Sequence, residues 1–191
     1  MTTTVRRLSL HEGVEHLKEN GAALVDLRPV GPYLESHIPG SLALVYEFGP
    51  GLSGRARDCL PLGLKLILLD HGEIDIGNAA AALRGKGFTV VGAIEGAIEA
   101  WPDSGEKLRA TGTIGAQDTP SGRVLDVGDP GVLRPEDALT IPIERLYARA
   151  AEVRGASPVT LAAGYGVRAA LAVGILEQQG VEEILFWRTL E

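Results

Sequence analysis

Leu64-Lys65-Leu66-Ile67-Leu68-Leu69 runs into the polar stretch Asp70-His71-Gly72-Glu73-Ile74-Asp75-Ile76, then an alanine-rich segment through Leu83, then Gly85-Lys86-Gly87 and Phe88-Thr89-Val90-Val91. The first run is apolar at nearly every position, which is the pattern of a parallel strand buried on both faces. The alanine-rich segment from Ala79 to Leu83 suits a helix, and Gly85 to Gly87 stops it. Strand, polar loop, helix and strand in that order predict a right-handed crossover in a parallel sheet.

The same alternation extends outward in both directions. Ser9-Leu10-His11-Glu12 has the spacing of a capping box, with Leu10, Val14 and Leu17 at helical intervals behind it and Asn20-Gly21 as the stop. Ala22 to Leu27 is a short strand with Asp26 near its end. His37-Ile38-Pro39-Gly40 is a turn, Leu42 to Val45 a further short strand, and Glu95 to Trp101 a closing helix cut by Pro102. Residues 102–121 hold turn formers without apolar periodicity, so a linker is expected there. The pattern then restarts. Val124 to Val127 is a strand, Ile141 to Val153 leads through a helix, Val159 to Ala162 is a strand, Val167 to Gln179 a helix and Ile184 to Trp187 the last strand.

Leu24-Val25-Asp26-Leu27 repeats as Val124-Leu125-Asp126-Val127, and Arg84-Gly85-Lys86-Gly87 as Glu177-Gln178-Gln179-Gly180. This is an internal duplication with a shorter second copy. The expected fold is α/β, with a parallel sheet flanked by helices in each copy. Expected boundaries are 1–108 for the first domain, 109–121 for the linker and 122–191 for the second. Ligand sites of such sheets lie beyond the carboxyl ends of the strands, which singles out two loops, Asp70 to Ile76 and Ala163 to Ala169.

Composition narrows the function. A net charge of −7 argues against a duplex nucleic acid, which needs a concentrated positive face. The single cysteine, Cys59, excludes an internal disulfide framework and a thiolate zinc site built from this chain alone. His11, His16, His37 and His71 make no His-x-x-x-His or His-x-His pair, so no metal is expected, nor any other cofactor. The N-terminus lacks an apolar signal core and no apolar run reaches the roughly 20 residues of a membrane span. The expectation is a soluble cytoplasmic protein with no membrane partner.

Leu24-Val25-Asp26-Leu27-Arg28-Pro29, the turn Ser36-His37-Ile38-Pro39-Gly40-Ser41 and Glu95-Gly96-Ala97-Ile98-Glu99-Ala100-Trp101 together resemble the rhodanese-like domain. The second copy is a weaker match, with Gly128 for the arginine, Pro135-Glu136-Asp137-Ala138 in place of the His-Ile-Pro-Gly turn, and no closing helix. As a pair, the copies resemble the two-rhodanese tail of certain metallo-β-lactamase-fold persulfide dioxygenases. The resemblance implies sulfur transfer through a cysteine that opens a loop of the form Cys-x-x-Gly-x-Arg-Ser/Thr. Loop amides and a helix N-terminus converge there, favouring anionic sulfur and a thiolate nucleophile.

Counting back from the glycine that closes each helix places that position at Asp70 in the first copy and Ala163 in the second. A one-residue slip in the first copy substitutes His71. None of these side chains forms a persulfide, so the leading expectation is a catalytically inactive tandem module with a binding, regulatory or scaffold role in sulfur metabolism. Gly164, Tyr165, Gly166, Val167 and Arg168 keep the glycine and arginine of the loop, and are the candidate site for a small sulfur or phosphate oxyanion. An arginine that only packs and pairs on the first helical turn is the plainer alternative. Asp70 and Asp75 read either as paired carboxylates for acid–base work or as loop-capping groups. Asp26, Arg28 and His37 are expected to organise the sheet edge and the turn. A second reading makes the protein a sulfurtransferase using Cys59, with Arg55 and Arg57 lowering its pKa, against an inert cysteine on a connecting loop or in the core. A third makes it a scaffold, either a homodimer or a partner of a metallo-β-lactamase-fold enzyme.

Overall fold

The computed structural model describes residues 4–19, 21–46 and 51–189. In chain order the elements are α1 (Leu10–Glu19), β1 (Ala22–Asp26), α2 (Val30–Glu35), β2 (Leu42–Ala43), α3 (Gly51–Cys59), β3 (Lys65–Asp70), α4 (Ile76–Gly85), β4 (Thr89–Glu95) and α5 (Ala97–Ala100). They continue as β5 (Gly112–Ile114), β6 (Arg123–Asp126), β7 (Leu139–Thr140), α6 (Ile143–Arg149), β8 (Val159–Ala163), α7 (Val167–Gln178) and β9 (Ile184–Arg188). The expected helix stop at Asn20 lies outside the described residues.

Two all-parallel sheets result, ordered β2-β1-β3-β4 and β5-β9-β8-β6-β7. The match between them is closer than the strand count suggests. Arg7 makes a parallel bridge to Ala93 of β4, so the chain ahead of α1 lies on the first sheet where β5 lies on the second. The capping box forms as its spacing predicts: Ser9 N donates to Glu12 Oε2 at 2.7 Å, and Glu12 N to Ser9 Oγ at 3.2 Å.

Three local expectations are revised. The stretch 109–121 is not a free linker. It supplies β5, its Arg109 bridges His37, and Thr111 N donates to Leu34 O at 2.8 Å. Turn formers hid this strand, whose neighbours hold it by backbone bonds rather than apolar side chains. Helices α2 and α3 have no apolar period in the sequence to announce them, because Gly31, Pro32 and Gly54 interrupt it. Leu52, Ala56 and Cys59 nonetheless form a buried stripe on α3, at the four- and three-residue spacings of a helix face. Trp101 begins a 3-10 turn, Trp101–Ser104, that contains Pro102 instead of being cut off by it.

The two lobes do not keep separate cores. One buried cluster takes in Val25, Leu42 and Leu68 of the first sheet together with Leu125, Leu161 and Phe186 of the second. Between the sheets runs α7, buried from Ala169 through Leu176 on every side. A helix apolar all round belongs inside a protein, and each of Leu171, Val173, Ile175 and Leu176 contributes about 1.5–3 kcal/mol by leaving water. Alternate residues of each strand face outward. In the first lobe these pack under α1 and α5 as Leu24, Ile67, Leu69 and Ile94. In the second they form a thin cluster, Val124, Ala162 and Trp187, with no helical residue among the described ones. Among the described residues, no helix packs on the outer face of the second sheet as α1 and α5 do on the first.

Candidate functional site

At the mouth of the first sheet, Asp26 ends β1 with no exposed surface. Arg28 Nη2 donates to its Oδ2 at 2.7 Å and to Ser36 O at 2.6 Å, tying the strand end to α2. His71 Nε2 stands 3.5 Å from Asp26 Oδ1. Burial by itself raises the Asp26 pKa, but His71 and Arg28 outweigh it and bring the carboxyl down to about 2.

Asp70, the last residue of β3, pairs with Arg7 and accepts Gly72 N at 2.9 Å. Burial opposes its ionised form, yet Arg7 and Gly72 carry the net shift downward. Asp75 is the N-cap of α4 and accepts Asn78 N at 3.0 Å. The two carboxylates therefore serve separate backbone groups, one the loop and one the helix start. Asp26 and Arg28 organise the sheet edge, in line with the sequence reading.

Ala163 ends β8 with its methyl in the core. Beyond it the chain turns at Gly166 (φ +89), where a Cβ would stand 3.0 Å from Val30 Cγ1 of the other lobe, and α7 begins. The donors of this loop go to the protein's own carboxylates. Gly164 N donates to Asp129 Oδ2 at 2.7 Å. Arg168 Nε lies 2.8 Å from Asp129 Oδ1, and Nη1 lies 2.8 Å from Glu144 Oε1. Asp129 was not singled out in the sequence. The available signal was an acidic residue in the turn after β6, next to β8 in the sheet and hence beside the loop that follows β8.

That loop borders a cleft of about 590 Å³ between the lobes. Arg55, Asp58 and Cys59 of α3 form one wall, and Ile143, Glu144, Tyr165, Val167 and Arg168 the other. Tyr165 is 84% exposed at the rim. Tertiary packing thus brings Cys59 to the second lobe's loop, a proximity no sequence spacing reveals. Cys59 is the last residue of α3, so it sits at the negative end of the helix dipole instead of the positive end. Burial pushes its thiol up to about 11, with Glu144 and Asp58 adding to the effect and Arg168 and Arg55 opposing it. Cys59 belongs to a buried helix face and is not on a connecting loop.

His37 serves the lobe interface. Its Nδ1 lies 2.9 Å from Tyr33 O, its ring stacks on Tyr33 with centroids 4.3 Å apart, and Nε2 lies 3.1 Å from Glu177 Oε1 of α7. No group of metal-ligating side chains forms among the described residues. No described helix is long and apolar enough to cross a membrane.

The sequence profile of the rhodanese-like domain matches residues 9–104. A thiosulfate sulfurtransferase GlpE from Pseudomonas savastanoi pv. phaseolicola is 33% identical over 90 residues, 47% of this chain and 81% of its own. The chain belongs to the rhodanese-like domain family. Among solved structures, the rhodanese-like chain is similar to the BH2092 protein of Bacillus halodurans, with 21% identity, a TM-score of 0.46, and coverage of 56% of this chain and 77% of that one. It is also similar to SseA from Escherichia coli, described as a 3-mercaptopyruvate sulfotransferase, at 16% identity and a TM-score of 0.41, over 97% of this chain and 98% of that one.

Proposed function

We propose that this protein is a tandem rhodanese-like module that binds a ligand or partner and does not transfer sulfur. The observation that carries the reading is what stands where each copy would hold its nucleophile. Asp70 fills the first position and is engaged by Arg7 and Gly72. A buried alanine methyl, Ala163, fills the second. In that second loop Asp129 already occupies the Gly164 amide and Arg168, so the field that would stabilise sulfur anions is spent on a carboxylate.

Cys59 does not restore the chemistry. A thiol held up to about 11 is almost wholly protonated at neutral pH, and the thiolate is the attacking species. The test is sulfur transfer from thiosulfate to cyanide. An active enzyme takes the outer sulfur onto a thiolate, releases sulfite, and passes the sulfur to cyanide as thiocyanate. Expected here is thiocyanate at the buffer rate for both wild type and Cys59→Ser. Turnover in wild type that disappears in Cys59→Ser overturns the proposal and makes Cys59 the sulfur carrier.

A further inference from the structure

Among the described residues, two charges lining the interlobe cleft, Arg55 and Asp58, have no ion-pair partner. Arg168 is fully engaged, with a carboxylate on each side at 2.8 Å. Arg55 is not. Its Nη2 donates to the Val45 carbonyl at 3.0 Å, its Nε is buried without an acceptor, and it has no carboxylate partner among the described residues. Asp58 lies three residues along α3 and also lines the cleft. Residues at that spacing share a helix face, with about 5–6 Å between Cβ atoms. They nevertheless do not pair with each other, because Arg55 is turned toward Val45.

The sign of the whole cavity decides what it can hold. Three carboxylates, Asp58, Asp129 and Glu144, face two guanidinium groups, Arg55 and Arg168. An inorganic dianion such as thiosulfate would enter a net negative space, where Arg55 is the one cation without a carboxylate partner among the described residues. A ligand carrying one charge of each sign, close together, matches Arg55 and Asp58 at once and adds no net charge. Apolar wall is also present, in Ile143 and Val167.

We propose that the cleft binds a free α-amino acid as its zwitterion, with the carboxylate on Arg55, the ammonium group on Asp58 and an aliphatic side chain along Ile143 and Val167. This rests on the reading of the module as a binding protein, and it names the class of ligand. Both lobes contribute, since α3 belongs to the first and Ile143 and Val167 to the second.

The test is titration calorimetry on the full chain with four probes: leucine, its deaminated analogue 4-methylpentanoate, its decarboxylated analogue 3-methylbutylamine, and thiosulfate. Leucine is expected to bind at least about tenfold more tightly than either analogue, the worth of one charge-assisted hydrogen bond, and thiosulfate not measurably. Arg55→Gln is expected to abolish binding of leucine and 4-methylpentanoate. Asp58→Asn is expected to bring leucine down to the affinity of 4-methylpentanoate. Unliganded melting temperatures equal to wild type show that both variants are folded, and Asp58→Asn, on an exposed position, is the safer of the two. No leucine binding, thiosulfate binding tighter than leucine, or leucine affinity unchanged in both variants overturns the proposal. These outcomes are separate from the cyanide assay: a silent assay with no leucine binding removes the ligand class and leaves the non-catalytic reading intact.

Discussion

Glu177 of α7 holds His37 of the first lobe's turn across 140 residues of chain: His37 Nε2 lies 3.1 Å from Glu177 Oε1, with both side chains almost fully buried. The second carboxylate oxygen accepts Gly40 N at 2.7 Å, and Gln178 Nε2 donates to Gly40 O at 2.8 Å. One turn of the first lobe is thus bonded, side chain and backbone, to the helix that forms the centre of the shared core. Glu177→Ala leaves the imidazole and an amide unpaired, and is expected to cost about 3–5 kcal/mol in urea unfolding. Glu177→Gln, which keeps an acceptor for Gly40 N, should lose less. Equal stability of Glu177→Ala and wild type would show that the contact does not hold the lobes.

Gly174 reports on the same interface by shape. A Cβ there would stand 2.0 Å from the Ser41 carbonyl oxygen, a backbone atom anchored by Tyr33 Oη donating to it at 2.8 Å. Gly174→Ala must push α7 off β2. We expect a loss of about 1–3 kcal/mol, a fall of about 2–12 °C in melting temperature at the 2–4 °C per kcal/mol of a chain this size. A melting temperature at or above that of wild type counts against the packing described.

Acid stability should trace Asp26. Its folded pKa of about 2 lies below the ordinary 3.8, so the ionised group stabilises the fold. That contribution is fully present above about 4 and is lost as pH falls through about 2. Asp26→Asn should cost about 2 kcal/mol at pH 7 and narrow the gap to wild type as pH drops toward 2, measured by denaturation at a series of pH values. A gap that stays constant from pH 7 to pH 2 contradicts the linkage.

Asp129 should be what keeps the second loop closed to anions. Ala163→Cys alone is expected to remain without sulfur transfer, because the new thiol meets a carboxylate on Gly164 N and an engaged Arg168. Ala163→Cys with Asp129→Gly frees Gly164 N and Arg168 Nε, while Glu144 keeps Nη1. It should show cyanide-dependent thiocyanate formation at least about tenfold above the single variant, for a recovered charge-assisted contact. Equal activity of the two variants would remove Asp129 from the explanation.

Cys59 should alkylate slowly at pH 7, and the rate with iodoacetamide should rise toward pH 11 as the thiolate appears. Rapid alkylation at pH 7, comparable to free cysteine, would mean an accessible and ionised thiol.

The alternation around Leu64–Leu69 was enough to read two parallel sheets, and the capping box at Ser9 was enough to start α1 at the right residue. Period and capping are local properties, so they survive in the order of the residues. Asp70 and Ala163 fall at strand ends by counting alone, since a helix of known length separates each loop from its closing glycine, and Asp26 falls there as the end of an apolar run. For the candidate oxyanion site at Gly164 to Arg168, the order of residues names the loop but not the carboxylates beside it. Its neighbours Asp129 and Glu144 come from a turn and a helix far away in sequence.

By itself the sequence determined the type of fold, with parallel strands at Ala22–Asp26, Lys65–Asp70 and Val159–Ala163 and the residues that end them, because each depends on residues a few positions apart. The tertiary structure alone decided which charges meet: Asp129 and Glu144 on Arg168, and Glu177 on His37. Electrostatics acts over a few ångströms of space regardless of distance along the chain, and the burial of α7 between two sheets is what brings those distances down.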